Sequence, residues 1–199
     1  MTNKETARQY LGKRGCFDNP QYREAMIHMR SESFSEEDML FFKDLYLTSK
    51  DIFTRNQILQ AFVLQCLQYD LKDFFLVAFK KERYLDMRLT AIRGYAAYVT
   101  EKEIIPLMKK FTDILIKIPS HTPCNYQEYE MLRSQFGLPY LVKQYGYDCF
   151  KEALTQLEKQ YDAMPDTFKG IFTQDENGMH VSLIPPAEKR KRLLAGIHG

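Results

Sequence analysis

Apolar residues recur every three or four positions along most of the chain, which is the spacing of the buried face of an amphipathic helix. Between residues 36 and 48, for example, the apolar residues at helical spacing are Met39, Leu40, Phe42, Leu45 and Tyr46. The hydroxyl of Ser35 can cap the first amides of this helix. Asp38, three residues later, occupies the acidic position of a capping box. The same periodicity predicts further helices over residues 20–30, 51–69, 70–81, 87–99, 100–118, 126–145 and 147–163.

Glycine and proline divide these predicted helices. Residues 119–123 begin and end with proline and predict a long loop. Within 126–145 the chain reads Gly137–Leu138–Pro139, and we expect the helix to kink or split there because proline removes an amide donor.

The pattern changes after Met164. Two β-prone runs, 171–173 and 180–184, flank Asn177–Gly178, a dipeptide typical of a hairpin turn. Because two strands alone are marginally stable, we expect the hairpin to pack on the helices. The sequence therefore predicts a helical-repeat domain over residues 1–166, with a hairpin and basic tail over 167–199 packed on it.

The helices also show a repeat. Arg55 and Arg88, each just past the start of a helix, are 33 residues apart, and Phe79 and Phe111 are 32 apart. Neighbouring helices joined by short loops lie antiparallel, and a recurrence near this length is typical of helical solenoids.

Residues 84–111 resemble a HEAT repeat. That family has acidic and basic positions between the two helices of its repeat, and this chain has Asp86, Arg88 and Arg93 at similar places. Pro106 looks like the proline that bends the first HEAT helix. The expected fold is all-α, with antiparallel helix pairs forming a short HEAT-like solenoid and a small C-terminal β-hairpin appendage. An irregular helical bundle is the alternative.

Charge is concentrated at the C-terminus. The chain has 28 basic and 26 acidic residues, a net charge of +2. Residues 185–199 contain the run Lys189–Arg192 and a single acid, so the remainder has a net charge of −1. By composition, the body of the protein is not an electrostatic platform for nucleic acid.

Targeting and redox features are those of a cytoplasmic protein. No apolar run is long enough to cross a membrane, and residues 1–5 do not begin a secretory signal, so we expect no membrane association. The four cysteines are spaced like neither a disulfide framework nor a zinc ligand set, and we expect reduced thiols. They are Cys16, Cys66, Cys124 and Cys149.

Sequence motifs for catalysis are absent. The four histidines form no metal-binding pair, and His121 with Cys124 lacks further ligands nearby. The run Gly12–Gly15 is basic but follows no strand, and no hydrolase, Walker or dinucleotide motif is present. We therefore expect a non-enzymatic protein with no metal and no cofactor.

In a solenoid, the second helix of each pair lines a concave face, and polar residues outside the apolar stripe are the candidate contacts there. Amide, guanidinium and tyrosine groups suit protein interfaces because they combine hydrogen bonding with apolar area. The candidate partner-binding residues are Arg55, Gln57, Gln60, Gln68, Arg88, Arg93, Arg133 and Tyr140.

Small helical proteins of this type resemble immunity proteins, some of them HEAT-like, that neutralise toxins of contact-dependent growth inhibition and polymorphic toxin systems. The resemblance implies a protein-binding module whose partner is a cognate toxin, for instance a toxin nuclease domain. The body's charge of −1 offers little complementarity to a basic nuclease.

Two other functions remain open. A HEAT-like nucleic-acid-binding or DNA-glycosylase-like protein would use Arg55, Arg88, Arg93 and the 189–192 run, and its binding would depend on salt. An enzyme without a known motif would need a deep pocket that holds a carboxylate or cysteine with a strongly shifted pKa.

Overall fold

The computed structural model describes residues 1–65, 68–117, 123–175 and 180–198, and within them all side chains except those of 123–126 and 196–198. The helices in these ranges are α1 Asn3–Tyr10, α2 Pro20–His28, α3 Glu36–Thr48, α4 Ile52–Gln65, α5 Lys72–Lys81, α6 Leu85–Ala96, α7 Glu101–Lys117, α8 Pro123–Arg133, α9 Leu138–Tyr145, α10 Asp148–Asp162 and α11 Pro186–His198. Single 3₁₀ turns cover Cys16–Asp18, Met29–Ser31 and Asp166–Phe168.

Strands β1 (Phe172–Gln174) and β2 (His180–Ser182) pair antiparallel near the C-terminus, with Thr173 opposite Val181. The predicted all-α class, with closely packed helix pairs and a small C-terminal sheet, is confirmed. The predicted turn at Asn177–Gly178 lies outside the described residues, as does most of the predicted loop at 119–123. The HEAT-like order of the helices stays a prediction.

The chain forms two compact units. The first comprises residues 1–81 and 93–98, and the second comprises 82–92 and 99–199. The C-terminal hairpin belongs to the second unit, where β1 packs on α8. The boundary predicted at residue 166 stays a prediction.

An aromatic cluster fills the core of the first unit. The Phe74 ring on α5 lies 4.9 Å from the Tyr46 ring on α3 and 4.8 Å from the Phe62 ring on α4. Phe34 lies 5.5 Å from Phe42, which extends the cluster to the chain before α3. Such tilted and edge-on pairs add stabilisation of roughly 0.5–1.5 kcal/mol each beyond their buried area.

The second unit is built around α7. Its buried residues Ile104, Met108, Phe111 and Leu115 recur every three or four positions, and α10 packs against this helix. The break predicted around Gly137–Pro139 is confirmed, because α8 ends at Arg133 and α9 begins at Leu138. A Cβ at Gly137 would lie 2.1 Å from the carbonyl oxygen of Leu132, so this close chain reversal requires glycine.

A buried carboxylate anchors the C-terminal hairpin on α8. Glu130 is only 6% exposed. Its carboxylate accepts hydrogen bonds from the N–H of Ile171 at 3.1 Å and of Phe172 at 2.5 Å, and from the Tyr161 hydroxyl at 3.3 Å. Burial raises the pKa of this carboxyl, and the backbone donors partly offset the rise.

Candidate functional site

The residues predicted to bind a partner are divided between the two units. Arg55, Gln57, Gln60, Gln68 and Arg93 lie in the first unit. Arg88, Arg133 and Tyr140 lie in the second.

In the first unit, the prediction is wrong for Gln57. Its side chain is 1% exposed, because it shares the inner face of α4 with Thr54, Ile58 and Ala61. A polar side chain on α4 therefore does not by itself indicate an exposed position. A partner could not reach Gln57 without displacing the core.

The other candidates of the first unit are more accessible. Gln68 is exposed and lies in a turn, whereas the sequence predicted a helix that continues to residue 69. Arg55 folds back and donates from Nη1 to the carbonyl oxygen of Ser49 at 3.2 Å. Gln60 and Arg93 are half-buried and engaged within the fold.

In the second unit, Arg133 links two helices. Its Nε donates to Glu158 Oε2 at 2.7 Å, and its guanidinium lies 3.6 Å from the centre of the Tyr161 ring. This pairing joins α8 to α10 and leaves the Arg133 side chain 32% exposed. Tyr140 on α9 is half-buried and also engaged within the fold.

Arg88 lies in a cluster of ionisable groups. Its Nε donates to the carbonyl oxygen of Glu82 at 2.7 Å, and burial lowers the pKa of its guanidinium while the charges of Glu128 and Glu82 oppose that change. Glu128, on α8, accepts the N–H of Leu85 at 3.0 Å. Burial raises the pKa of the Glu128 carboxyl to about 7, and the charge of Asp86 adds to the rise. The N–H of Leu85 and the charges of Arg88 and His180 oppose it.

His180 joins the same cluster from strand β2. Its Nε2 lies 3.0 Å from Asp86 Oδ2, and its Nδ1 lies 3.2 Å from Gln127 Nε2. Sequence reasoning treated His180 as isolated, because its partner Asp86 is 94 residues away in the chain. No local motif could have revealed this pair.

A second feature that sequence reasoning missed is the outer face of α7. Ile105 and Ile116 are each 46% exposed on the side away from the buried residues of this helix. Lysines surround them, and none of these lysines forms an ion pair with another residue in the ranges that the structure describes. They are Lys102, Lys109, Lys110 and Lys117. We call these two isoleucines and four lysines the α7 face.

The other candidate chemistry concerns metal ligands and cysteines. In the described ranges, no three His, Cys, Asp or Glu side chains are grouped so that they could hold a metal ion. His121 and the Cys124 side chain lie outside those ranges. Burial and the nearby charge of Glu101 raise the pKa of the Cys149 thiol to about 11, which disfavours the thiolate.

None of the helices in the described ranges is both long enough and apolar enough to cross a membrane.

No protein-family model, no curated protein and no solved structure matches this chain.

Proposed function

We propose that the protein is a non-enzymatic protein-binding module and, within that class, an immunity protein that binds and neutralises a cognate toxin. The observation that supports binding is the α7 face. It presents large apolar side chains among lysines that have no ion-pair partner in the described ranges.

The geometry of α7 makes this face continuous. Lys102, Ile105, Lys109 and Ile116 are separated by three, four and seven residues, so they line one side of the helix. At 1.5 Å per residue this stripe is about 21 Å long, which suits one edge of a standard protein interface. Covering the exposed half of each isoleucine would contribute roughly 1 kcal/mol per side chain.

The charge of the face specifies the chemistry of the partner surface. The four lysines outnumber Glu103 and Asp113, which are also exposed on α7, so the face attracts carboxylates, speeds association with an acidic surface and disfavours cationic surfaces. A basic nucleic-acid-binding groove of a nuclease toxin would therefore be repelled. The α7 face fits an acidic surface of the toxin that also exposes apolar side chains.

Nucleic acid is the less suitable partner for this face. The lysines could contact phosphates, but the two isoleucines between them offer neither hydrogen bonds nor an aromatic surface for base stacking. The exposed positions of α7 contain no aromatic residue.

The test begins with capture of the partner in the native host and continues with growth assays. The captured protein is expressed as a toxin candidate together with the wild-type chain or with Lys109→Glu/Lys110→Glu. Arg190→Glu/Lys191→Glu, which makes the same charge change on the exposed side of α11, is the matched control. Circular dichroism melting verifies that the wild type and both variants fold.

We expect growth arrest by the captured protein, rescue by the wild-type chain and the control, and no rescue by the α7 variant. Captured proteins that cause no arrest would contradict the immunity function. Rescue that is equal for all variants would contradict the role of α7. Submicromolar, salt-sensitive binding to an oligonucleotide would support the nucleic-acid alternative instead.

A further inference from the structure

Helix α1 lies on an acidic and aromatic surface of the first unit. Its Lys4 and Arg8, four positions apart on one side of the helix, both reach Asp38 in the first turn of α3. Lys4 Nζ lies 2.6 Å from Asp38 Oδ2, and Arg8 Nη2 lies 2.7 Å from Asp38 Oδ1. Each oxygen of one carboxylate therefore binds a different cation of α1.

Two aromatic rings lie beneath these cations. The Lys4 ammonium is 5.1 Å from the centre of the Phe34 ring, and the Arg8 guanidinium is 4.3 Å from the centre of the Phe41 ring. The face of an aromatic ring attracts a cation through its quadrupole. Asp38 and the two rings therefore form two adjacent positions for basic side chains.

A third group binds the backbone of the helix. Glu32, in the chain before α3, accepts the N–H of Asn3 at 2.8 Å and the N–H of Lys4 at 3.4 Å. It also accepts the side-chain amide of Asn3 at 2.7 Å. Because the first N–H groups of every α-helix lack partners within the helix, this carboxylate can cap any helix that lies here.

Carboxylates outnumber cations at this contact. Glu37 Oε1 lies 3.3 Å from Arg8 Nη1, so three carboxylates contact α1, which offers them two cations. The contact keeps a negative charge while α1 is bound and has a larger one when α1 is absent. We call the residues that contact α1 in this way the α1-binding surface. They are Glu32, Phe34, Glu37, Asp38 and Phe41.

The contacts that hold α1 here are mostly polar. Ala7 is the single fully buried side chain of this helix, whose eight residues are all described. On its other side α1 packs along α2, where the Tyr10 hydroxyl donates to Gln21 Oε1. Arg8 Nε is buried and has no hydrogen-bond partner among the described residues, which is unfavourable. A helix that satisfies its donors can therefore replace α1.

The connection from α1 to α2 allows this replacement. Gly12 and Gly15 have φ values of +88° and +71°, and a Cβ at either position would have no heavy atom within 4 Å. A change of backbone conformation at these two glycines therefore displaces no packed side chain around them.

We propose that the α1-binding surface is a docking site for a basic helix of a protein partner, with two basic residues four positions apart, and that α1 occupies the site until such a helix replaces it. The negative charge and aromatic rings of the surface favour this partner over an acidic one. The site is independent of the function proposed above, because it involves no residue of the α7 face.

The test uses the full chain with Lys4→Glu/Arg8→Glu, in which α1 is repelled from Asp38 and leaves the surface open. The probe is a synthetic peptide with the sequence of residues 1–11, and the same peptide with both substitutions is the matched control. NMR follows the amides of Ser35, Asp38 and Phe41 as each peptide is added, up to about 1 mM.

We expect the basic peptide to shift these amides in the charge-reversed chain and the control peptide to shift none. The wild type should need at least about tenfold more basic peptide, because its tethered α1 competes at a high effective concentration. Adding Asp38→Asn to the charge-reversed chain should weaken binding at least about tenfold, since it removes the carboxylate that both cations share.

No binding of the basic peptide, or equal binding of both peptides, would overturn the docking site. Equal affinity of the wild type and the charge-reversed chain would overturn the role of α1 as its occupant. Dimers of the wild type in sedimentation, if Lys4→Glu/Arg8→Glu abolishes them, would assign the surface to a second copy of this chain and overturn the proposed partner.

If the charge-reversed chain does not fold, amide hydrogen exchange of the wild type provides the second measurement. Protection of the α1 amides should fall about fivefold or more between about 0.1 M and 1 M NaCl, because salt screens the ion pairs that hold α1. The amides of α4 in the same unit are the control. Unchanged protection of α1 relative to α4 would overturn the proposal.

Discussion

The carboxylate of Glu130 on α8 accepts the backbone N–H of Phe172 at 2.5 Å, across 42 residues of sequence. The same carboxylate accepts the N–H of Ile171, so both of its oxygens serve the chain that enters β1. Among the described residues, this buried carboxylate is the main polar connection between the C-terminal hairpin and α8. Its loss should therefore lower the free energy of unfolding.

Glu130→Gln should destabilise the protein by about 1–3 kcal/mol, because the NH₂ group of glutamine would face a backbone donor that now has a carboxylate oxygen. Urea denaturation at pH 7 measures the change. Glu152→Gln, exposed on α10, is the matched control and should alter the free energy of unfolding by less than about 0.5 kcal/mol. Equal effects of the two variants would contradict the anchoring role.

Glu128→Gln should have the opposite effect, stabilising the protein at pH 8 by about 2 kcal/mol. The folded state raises the pKa of this carboxyl from 4.5 to about 7, so the folded state binds the proton more tightly than the unfolded chain. Stability from this group is therefore lost as the pH rises through that interval. Unfolding measured from pH 4 to pH 8 should show a smaller decline in the variant than in the wild type.

Asp38 should contribute stability with the reverse pH dependence. It accepts Lys4 Nζ at 2.6 Å, Arg8 Nη2 at 2.7 Å and the N–H of Ser35 at 3.0 Å. Burial acts to raise the pKa of Asp38, but the hydrogen bonds from Lys4 and Ser35 outweigh it and the pKa is lowered. The contribution is complete above the ordinary carboxyl pKa and is lost as the pH falls through the lowered value.

Asp38→Asn should therefore cost about 1–2 kcal/mol at pH 7 and progressively less in acid. Asp44→Asn, exposed on the same helix, is the control and should cost much less. A cost for Asp38→Asn that does not change with pH would mean that the charge of Asp38 has no part in stabilising the contact between α1 and α3.

Gly94 should tolerate no side chain. A Cβ at this position would lie 2.3 Å from the ring of Phe75, so Gly94→Ala forces the ring or α6 to move and should cost about 1–3 kcal/mol. Thermal unfolding measures the cost. In the background of Phe75→Leu, which shortens the obstructing side chain, the same substitution should cost clearly less; an additive result would contradict the contact.

Local sequence features predicted the parts of the fold that depend on neighbouring residues. The capping box of Ser35 and Asp38 at the start of α3 is confirmed, because its geometry involves only residues three apart. The break before α9 and the two short strands are likewise where proline and β-prone residues indicated them.

The candidate site was less predictable, because its contacts join distant residues. The His180–Asp86 pair spans 94 residues, and no spacing rule reaches that far. Gln57 was predicted to be exposed from its polar side chain, but most sides of α4 pack against other elements. The exposed isoleucines of α7 show the converse, since an apolar residue type does not reveal which face of a helix stays uncovered.

The most direct test of the account is the affinity between the α7 variants and the partner that the proposed capture experiment identifies, measured by calorimetry at physiological salt. We predict at least a tenfold loss of affinity for Ile105→Ser/Ile116→Ser and for Lys109→Glu/Lys110→Glu, with Arg190→Glu/Lys191→Glu unchanged. Equal affinity for the wild type and all three variants would contradict the claim that α7 provides the binding surface.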